Sequence, residues 1–498
     1  MSYFAAGDWL IILLYLAGII GLGLWFGKDQ RNTRDYFLGS KNTPWWAIGF
    51  SIVAAETSAL TIIGVPGMAY GTDLSFIQMV IGYVLARLLL AVVMVPHYFK
   101  GEIYSPYQLL AHTFGLGARQ MAGGVFLLSE TLAAGVRVYV ACIPIQLMLG
   151  IEVLPAIILF IALSLLYTYV GGVKAVIWTD AVQFGLFLAG GVFTLAYVPN
   201  LLAGGFSQVI REASIAGKLH WFNGSFSLSL PFNIWMGLIG GTFVTMSSHG
   251  AEQLIVQRVL ACGSVAEGRK ALILSAIVIL PLFLIFLLAG AMLWVYYQHS
   301  PWPIPLPEPR PGIKANDFVY PIFMLTGVPH GLKGFLIVAI LSAAMSSVSS
   351  ALTSLASVST MDFVQPWFGQ SRSESFYLAF SKRSTVFWAL ALIVVAYLSR
   401  EVLFVLNAAF SLRGLTSGAL LGGILLALGW RRSSAPPVVL GMAASVLCMV
   451  GVSLQWFGPI KIDWPWFTLI GTVVTVAVSW VVRLSLSPAA SLTRNPQR

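Results

Sequence analysis

The chain has 498 residues, of which 58% are hydrophobic and only 9% charged. A water-soluble domain needs roughly 25% charged residues to cover its surface, so this chain's solvent must be largely lipid. Its net charge of +10 does not mark a nucleic-acid binder, because the Lys and Arg residues are scattered in short connections and form no basic stripe.

Apolar runs of about 20 residues, the length that crosses a bilayer as helix, recur from end to end. The first, about 8–26, has no basic residue before it and is followed by Lys28, Arg31 and Arg34. It reads as a retained helix with its N-terminus outside. Twelve more spans are expected at about 45–70, 74–99, 120–149, 153–170, 176–199, 229–257, 271–298, 332–361, 381–399, 402–429, 437–457 and 465–484. Threaded alternately, they leave about 18 Lys and Arg inside, Arg258 among them, against about 7 outside. That bias supports both the span count and a cytoplasmic C-terminus. Of the outer connections, 200–228 is long enough for a short helix. PWPIPLPEPRP, Pro301–Pro311, reads as extended polyproline II. Cys142, Cys262 and Cys448 lie far apart without metal-type spacing and read as small buried hydrophobes. No GxxxxGK[ST] loop occurs, which argues against an ATP-driven pump.

Polar residues at membrane depth carry the functional signal. The second span holds Glu56, Thr57, Ser58 and Thr61 between apolar turns. An unwound segment there would expose carbonyls able to coordinate a cation. A continuous helix with back-bonded hydroxyls is the alternative. Five spans later, GLIGGTFVTMSSHGAEQ, Gly237–Gln253, is disrupted in the same way. Two interrupted helices in corresponding positions of two five-helix halves point to an inverted-repeat transporter.

In the ninth span, Ser346, Ser349, Ser350 and Thr353 fall at i, i+3, i+4 and i+7, with Ser347 beside them. Such a stripe offers hard oxygen ligands to sodium, or else a small-residue packing seam. Asp180, about one turn into the sixth span, decides for the ion, since a carboxylate at membrane depth is functional by default.

At GGVKAVIWTD, AAMSSVSSALTS, SIVAAETSALTIIG and HGAEQLIVQR the chain resembles the sodium:solute symporter family, over nearly its whole length. The resemblance implies an all-α membrane fold, the leucine-transporter-type five-plus-five inverted repeat. The extra helix would be 8–26, the repeats 45–199 and 229–429, and two further helices 437–484. It also implies two sodium sites. Site one would comprise the carbonyls of Ala54, Thr57 and Ala343 with the hydroxyls of Ser346 and Ser347. Site two would comprise Asp180, Ser346, Ser349 and Ser350. The substrate site would lie at Glu56, Ser58 and Thr61, with Gln78 from the next helix. The family's sialic acid members carry an arginine at the position of Ala133, and here Arg137 stands one turn further on. Galactose members carry glutamine where Thr61 stands, so neither substrate carries over. The ETSALTIIG pattern is similar to the branch near iodide and multivitamin symporters.

Arg87, Arg137, Arg413, Glu56 and Glu130 all sit in apolar spans. They either pair across helices, or one arginine grips a substrate carboxylate through its bidentate fork. Three cations against two anions lean toward an anionic solute; Glu56 holding the amine of a zwitterion is the alternative. His249, in a cavity helix, is a minor candidate for a proton role. The expectation is therefore sodium-coupled symport of a small solute, an organic anion or else a sugar or amino acid, by alternating access. The chain would be multi-pass in the inner membrane, sufficient as a monomer, with lipid and solute as partners. An uncoupled channel lacks a filter here, a sensor lacks a signalling domain, and an enzyme lacks a metal cluster or Ser/His/Asp arrangement.

Overall fold

The computed structural model describes residues 4–27, 30–230, 232–304, 315–399, 405–430, 433–456, 458 and 461–486. Among these residues it is helical and contains no strand. The long elements are α1 (Ala6–Phe26), α2 (Trp45–Glu56), α3 (Ala59–Gly71), α4 (Ile77–Val93), α5 (Leu116–Leu149), α6 (Val153–Asn200), α7 (Thr242–Gly250), α8 (Gln253–Leu260), α9 (Val265–His299), α10 (Leu332–Val358), α11 (Glu374–Leu398), α12 (Val405–Gly429), α13 (Ala435–Ser453) and α14 (Pro465–Leu486). Among the described residues, eight helices are individually long and apolar enough to cross a membrane, and the bent pair α2–α3 makes a ninth.

Helix α6 has 48 residues, which at 1.5 Å per residue would span about 72 Å, more than twice the hydrocarbon core. It is folded into two arms at Gly172, whose φ of 55° lies in the left-handed region. The two arms are the expected fifth and sixth spans. A Cβ at Gly172 would lie 2.5 Å from the Tyr36 carbonyl oxygen. Gly172→Ala therefore combines backbone strain of about 1–3 kcal/mol with a clash. The variant should melt several degrees lower in detergent; an unchanged melting temperature would show that the elbow is not under this constraint.

The outer connection does contain a short helix, Gly205–Ile215. Most of the expected polyproline stretch lies outside the described residues; Pro301–Ile304 is non-helical. Helix α10 is buried along almost its whole length and packs most extensively on α6. It also meets α1, α2, α3, α5 and α11. Close approach elsewhere rests on glycine: a Cβ on Gly237 would lie 2.2 Å from the Gln78 carbonyl, so the π-helical turn Met236–Gly241 can press against α4. Helices α12, α13 and α14 pack on one another, and α12 also joins α5 and α7.

Candidate ion and solute site

Helix α2 ends at Glu56 because Thr57 leaves helical geometry, with φ −81° and ψ 97°. Ser58 is extended, and the chain re-enters helix as α3, bent by 58°. The interruption read from Glu56, Thr57 and Ser58 is therefore present. The last carbonyls of a helix have no intrahelical donor, so Ala54 and its successors are available to a ligand. The Thr57 hydroxyl is buried and has no hydrogen-bond partner, an orphan that a ligand at the break would satisfy. The second interrupted span has two irregularities. A π-helical turn precedes α7, and the chain breaks at Ala251–Glu252 before α8.

The serine face of α10 is wholly inside the protein: Ser346, Ser349 and Ser350 are inaccessible, and Ser347 nearly so. Ser347 Oγ donates to the Ala343 carbonyl at 3.1 Å. Ser349 and Ser350 donate to the Ser346 carbonyl at 3.0 and 2.5 Å. Back-bonding of this kind spends each hydroxyl's hydrogen and leaves its oxygen lone pairs for a cation. The residues of site one fit sodium on these grounds: hard oxygens, an exposed helix end and an orphaned hydroxyl.

Asp180, on the second arm of α6, meets the same face as the sequence predicts. Its Oδ1 accepts from Ser346 Oγ at 2.7 Å, so Ser346 joins the two candidate sites. Its Oδ2 accepts from Ser51 Oγ at 2.6 Å and Arg258 Nη2 at 2.9 Å. Sequence reasoning missed Arg258, counting it as a cytoplasmic loop charge. The structure places it on α8 with no exposure at all. It lies in the last turn of a buried helix only eight residues long, and the run LIVQRVLAC around it was the available signal.

Ser58, Ala134, Arg137, Val138, Ala141, Ala344, Ser347 and Val348 line a narrow cavity of about 10 Å³, room for about one water centre. Substrate candidates Ser58 and Arg137 thus share a wall with Ser347 of sodium site one. Thr61, on the first turn of α3, is half-buried and outside that lining. Two other candidates are committed elsewhere. Gln78 is fully buried, and its amide donates to the Phe232 carbonyl at 2.7 Å while its oxygen accepts from Asn223 N–H at 3.0 Å. It pins the connection before α7 to α4. Glu56 pairs with Arg87, and His249 Nε2 lies 3.6 Å away. That pairing removes the free carboxylate a substrate amine would need.

Besides the Asp180–Arg258 pair, each of the three intramembrane arginines read from the sequence meets a carboxylate: Arg87 with Glu56, Arg137 with Glu130, and Arg413 with Glu252. Glu252 is the member the sequence count left out, so three cations face three anions and the lean toward an anion disappears. The first and third pairs join different helices. The second lies within α5, where Arg137 Nε also donates to the Ala133 carbonyl at 3.3 Å. Among the described residues, the hydrogen bonds of Arg137 therefore stay within α5. His249 Nδ1 is 2.8 Å from Ser248 Oγ, which uses one ring nitrogen locally.

A buried bundle with two interrupted helices, one against a hydroxyl-faced helix and a closed cavity, defines an ion-coupled secondary transporter. The chain belongs to the sodium:solute symporter family, whose model matches residues 36–444. It is 30% identical to a sodium/sialic acid symporter of Proteus mirabilis, covering 97% of this chain and 96% of that protein. It is 27% identical to the human sodium/iodide cotransporter, covering 91% of this chain and 70% of that one. A solved Na+-coupled sialic acid symporter in a substrate-bound outward-open state matches with a TM-score of 0.88 and 26% identity, over 97% and 99% of the two chains. A nucleobase-cation-symport-1 family transporter in a closed conformation, 14% identical with a TM-score of 0.57 over 90% and 94% of the chains, shares the fold. The protein is thus a multi-pass membrane transporter, not an enzyme, and it couples sodium to symport of a small solute.

Proposed function

We propose that this chain takes up a small carboxylate-bearing solute with sodium, the carboxylate gripped by Arg137. The observation that carries this reading is that, among the described residues, Arg137 is the charged one lining the cavity beside Ser58 and Ser347. Its partner Glu130 lies on its own helix, so a substrate carboxylate can replace Glu130 without pulling helices apart. Similarity to sialic acid symporters over nearly the full length favours the same chemistry. Arg137 would stand one turn beyond the position used there, so the substrate would sit deeper or be of a different size. The cavity is too small for any such solute as it stands, and α3, α5 and α10 must part to admit it.

Sodium at site one would hold the α2–α3 break against α10, and the carbonyls of Ala54, Thr57 and Ala343 with the hydroxyls of Ser346 and Ser347 would be its ligands. A second sodium would use Asp180, Ser346, Ser349 and Ser350. Alternating access then follows from linkage: sodium raises substrate affinity by the factor by which substrate raises sodium affinity. The inner membrane is the assigned location, with the N-terminus outside, the C-terminus cytoplasmic, a single chain sufficient and lipid the surrounding partner.

Thermal stabilisation of the purified protein by sialic acids and short monocarboxylates, each beside its neutral amide and in sodium or potassium, tests the substrate class. Stabilisation by a carboxylate in sodium, lost with its amide and in Arg137→Gln, is expected. A neutral hit that Arg137→Gln retains would overturn the carboxylate reading and favour a sugar.

A further inference from the structure

All four side chains assigned to the second sodium are already engaged, and the guanidinium of Arg258 supplies the positive charge among them. Its Nη2 donates to Asp180 Oδ2 at 2.9 Å and also to Ser350 Oγ. Its Nε donates to Ser51 Oγ at 2.8 Å, and Ser51 in turn donates to the same Asp180 oxygen. Neither Arg258 nor Asp180 has any exposure. A sodium ion added to this arrangement would bring two cations to one carboxylate in a fully buried setting. Their repulsion at a few ångströms is large where the dielectric is low. The donor chemistry suits sodium, but its charge requirement is already met.

We infer that Arg258 is a tethered cation that competes with the second sodium ion, holding the site until sodium displaces it. This rests on the two-sodium reading above and adds a residue that sets the affinity of the second ion. Because Arg258 belongs to α8, its pairing fastens α8 to Ser51 of α2, Asp180 of α6 and Ser350 of α10. Displacement breaks these three polar ties at once while Gln253 of α8 keeps its bond to Ser357 of α10, so occupancy of the second site and the seating of the Arg258 end of α8 are linked. The apparent sodium affinity is the intrinsic one reduced by the fraction of molecules in which Arg258 has left. Site one is spared directly, since Arg258 makes no hydrogen bond to Ser347 or to the α2–α3 break.

The test is sodium binding to the purified full chain, by radioactive sodium and by thermal shift, with choline keeping ionic strength constant. Arg258→Gln removes the competing charge and should tighten the weaker sodium step by at least about ten-fold. Arg258→Lys keeps a tethered charge and should stay within about three-fold of wild type. Ser51→Ala loosens the guanidinium while leaving all four ion ligands, and should tighten the weaker step by about three-fold, which decides the matter if Arg258→Gln fails to fold. A wild type with one measurable step and an Arg258→Gln variant with two would support the competition equally. A weaker step unchanged or weakened in Arg258→Gln and Ser51→Ala overturns it, as does a single sodium in wild type and variants alike. Sodium binding lost everywhere would instead remove the two-sodium reading, and Ser347→Ala, which touches site one alone, separates that failure from this one.

Discussion

Ser346→Ala is expected to reduce sodium-driven uptake in proteoliposomes to background while leaving the protein folded. Ser346 is the one hydroxyl assigned to both ion sites, and it donates to Asp180 at 2.7 Å. Its loss removes a ligand from each site and leaves one oxygen of a buried carboxylate without its donor. Outer-shell changes alone cost metal sites about 10–100-fold in affinity, so a shared ligand should cost at least about a hundred-fold. Alanine fits the space, and α10 already carries many small residues, so folding should survive. Thr353→Ala is the control, since Thr353 bonds only back to the Ser349 and Ser350 carbonyls. Uptake that is intact in Ser346→Ala would dismiss Ser346 as the joint of the two sites.

A large stability effect should come from Glu252→Ala. Glu252 sits at the α7–α8 break and accepts from Arg413 Nε at 2.9 Å and Ser417 Oγ at 3.3 Å. Removing it strands a cation of α12 that is 29% exposed, so the loss should fall toward the lower end of the roughly 3–5 kcal/mol that breaking a fully buried pair costs. The melting temperature in detergent should fall sharply, and the double variant Glu252→Ala/Arg413→Ala should recover part of the loss because no lone charge remains. Equal melting of wild type and Glu252→Ala would mean that water or lipid headgroups already solvate Arg413. The Arg137→Gln comparison is complementary. Its pair closes within one helix, so it should affect substrate binding more than melting.

What could be read directly from the chain is what depends on neighbours along the chain. Hydropathy over about 20 residues marked a multi-span helical membrane protein, and Glu56-Thr57-Ser58 inside an apolar run marked the break that the structure shows at Thr57. The spacing of Ser346, Ser349 and Ser350 put three hydroxyls on one face of α10. The meeting of that face with Asp180 was foreseen from the cost of a lone carboxylate in lipid. Gly172 was less legible: the need for a turn between spans five and six followed from length, but its φ of 55° and the approach of Tyr36 are set by packing.

Partners across helices were not readable, because they depend on how each helix is rotated and how deep it sits. Arg258 follows a loop-like break and counts as an inside charge by sequence, yet it lies against Asp180, 78 positions away. Glu252 finds Arg413 at a separation of 161 positions. Gln78, a substrate candidate by resemblance, spends both ends of its amide on residues 223 and 232. Sequence by itself determined that this chain is a membrane protein with polar breaks at membrane depth, because lipid forces backbone hydrogen bonds inside each helix and makes every polar exception conspicuous, and the family resemblance carried by those segments added the sodium coupling. Only the tertiary structure decided which charge neutralises which, because a buried ion takes whichever partner helix packing brings within hydrogen-bond reach.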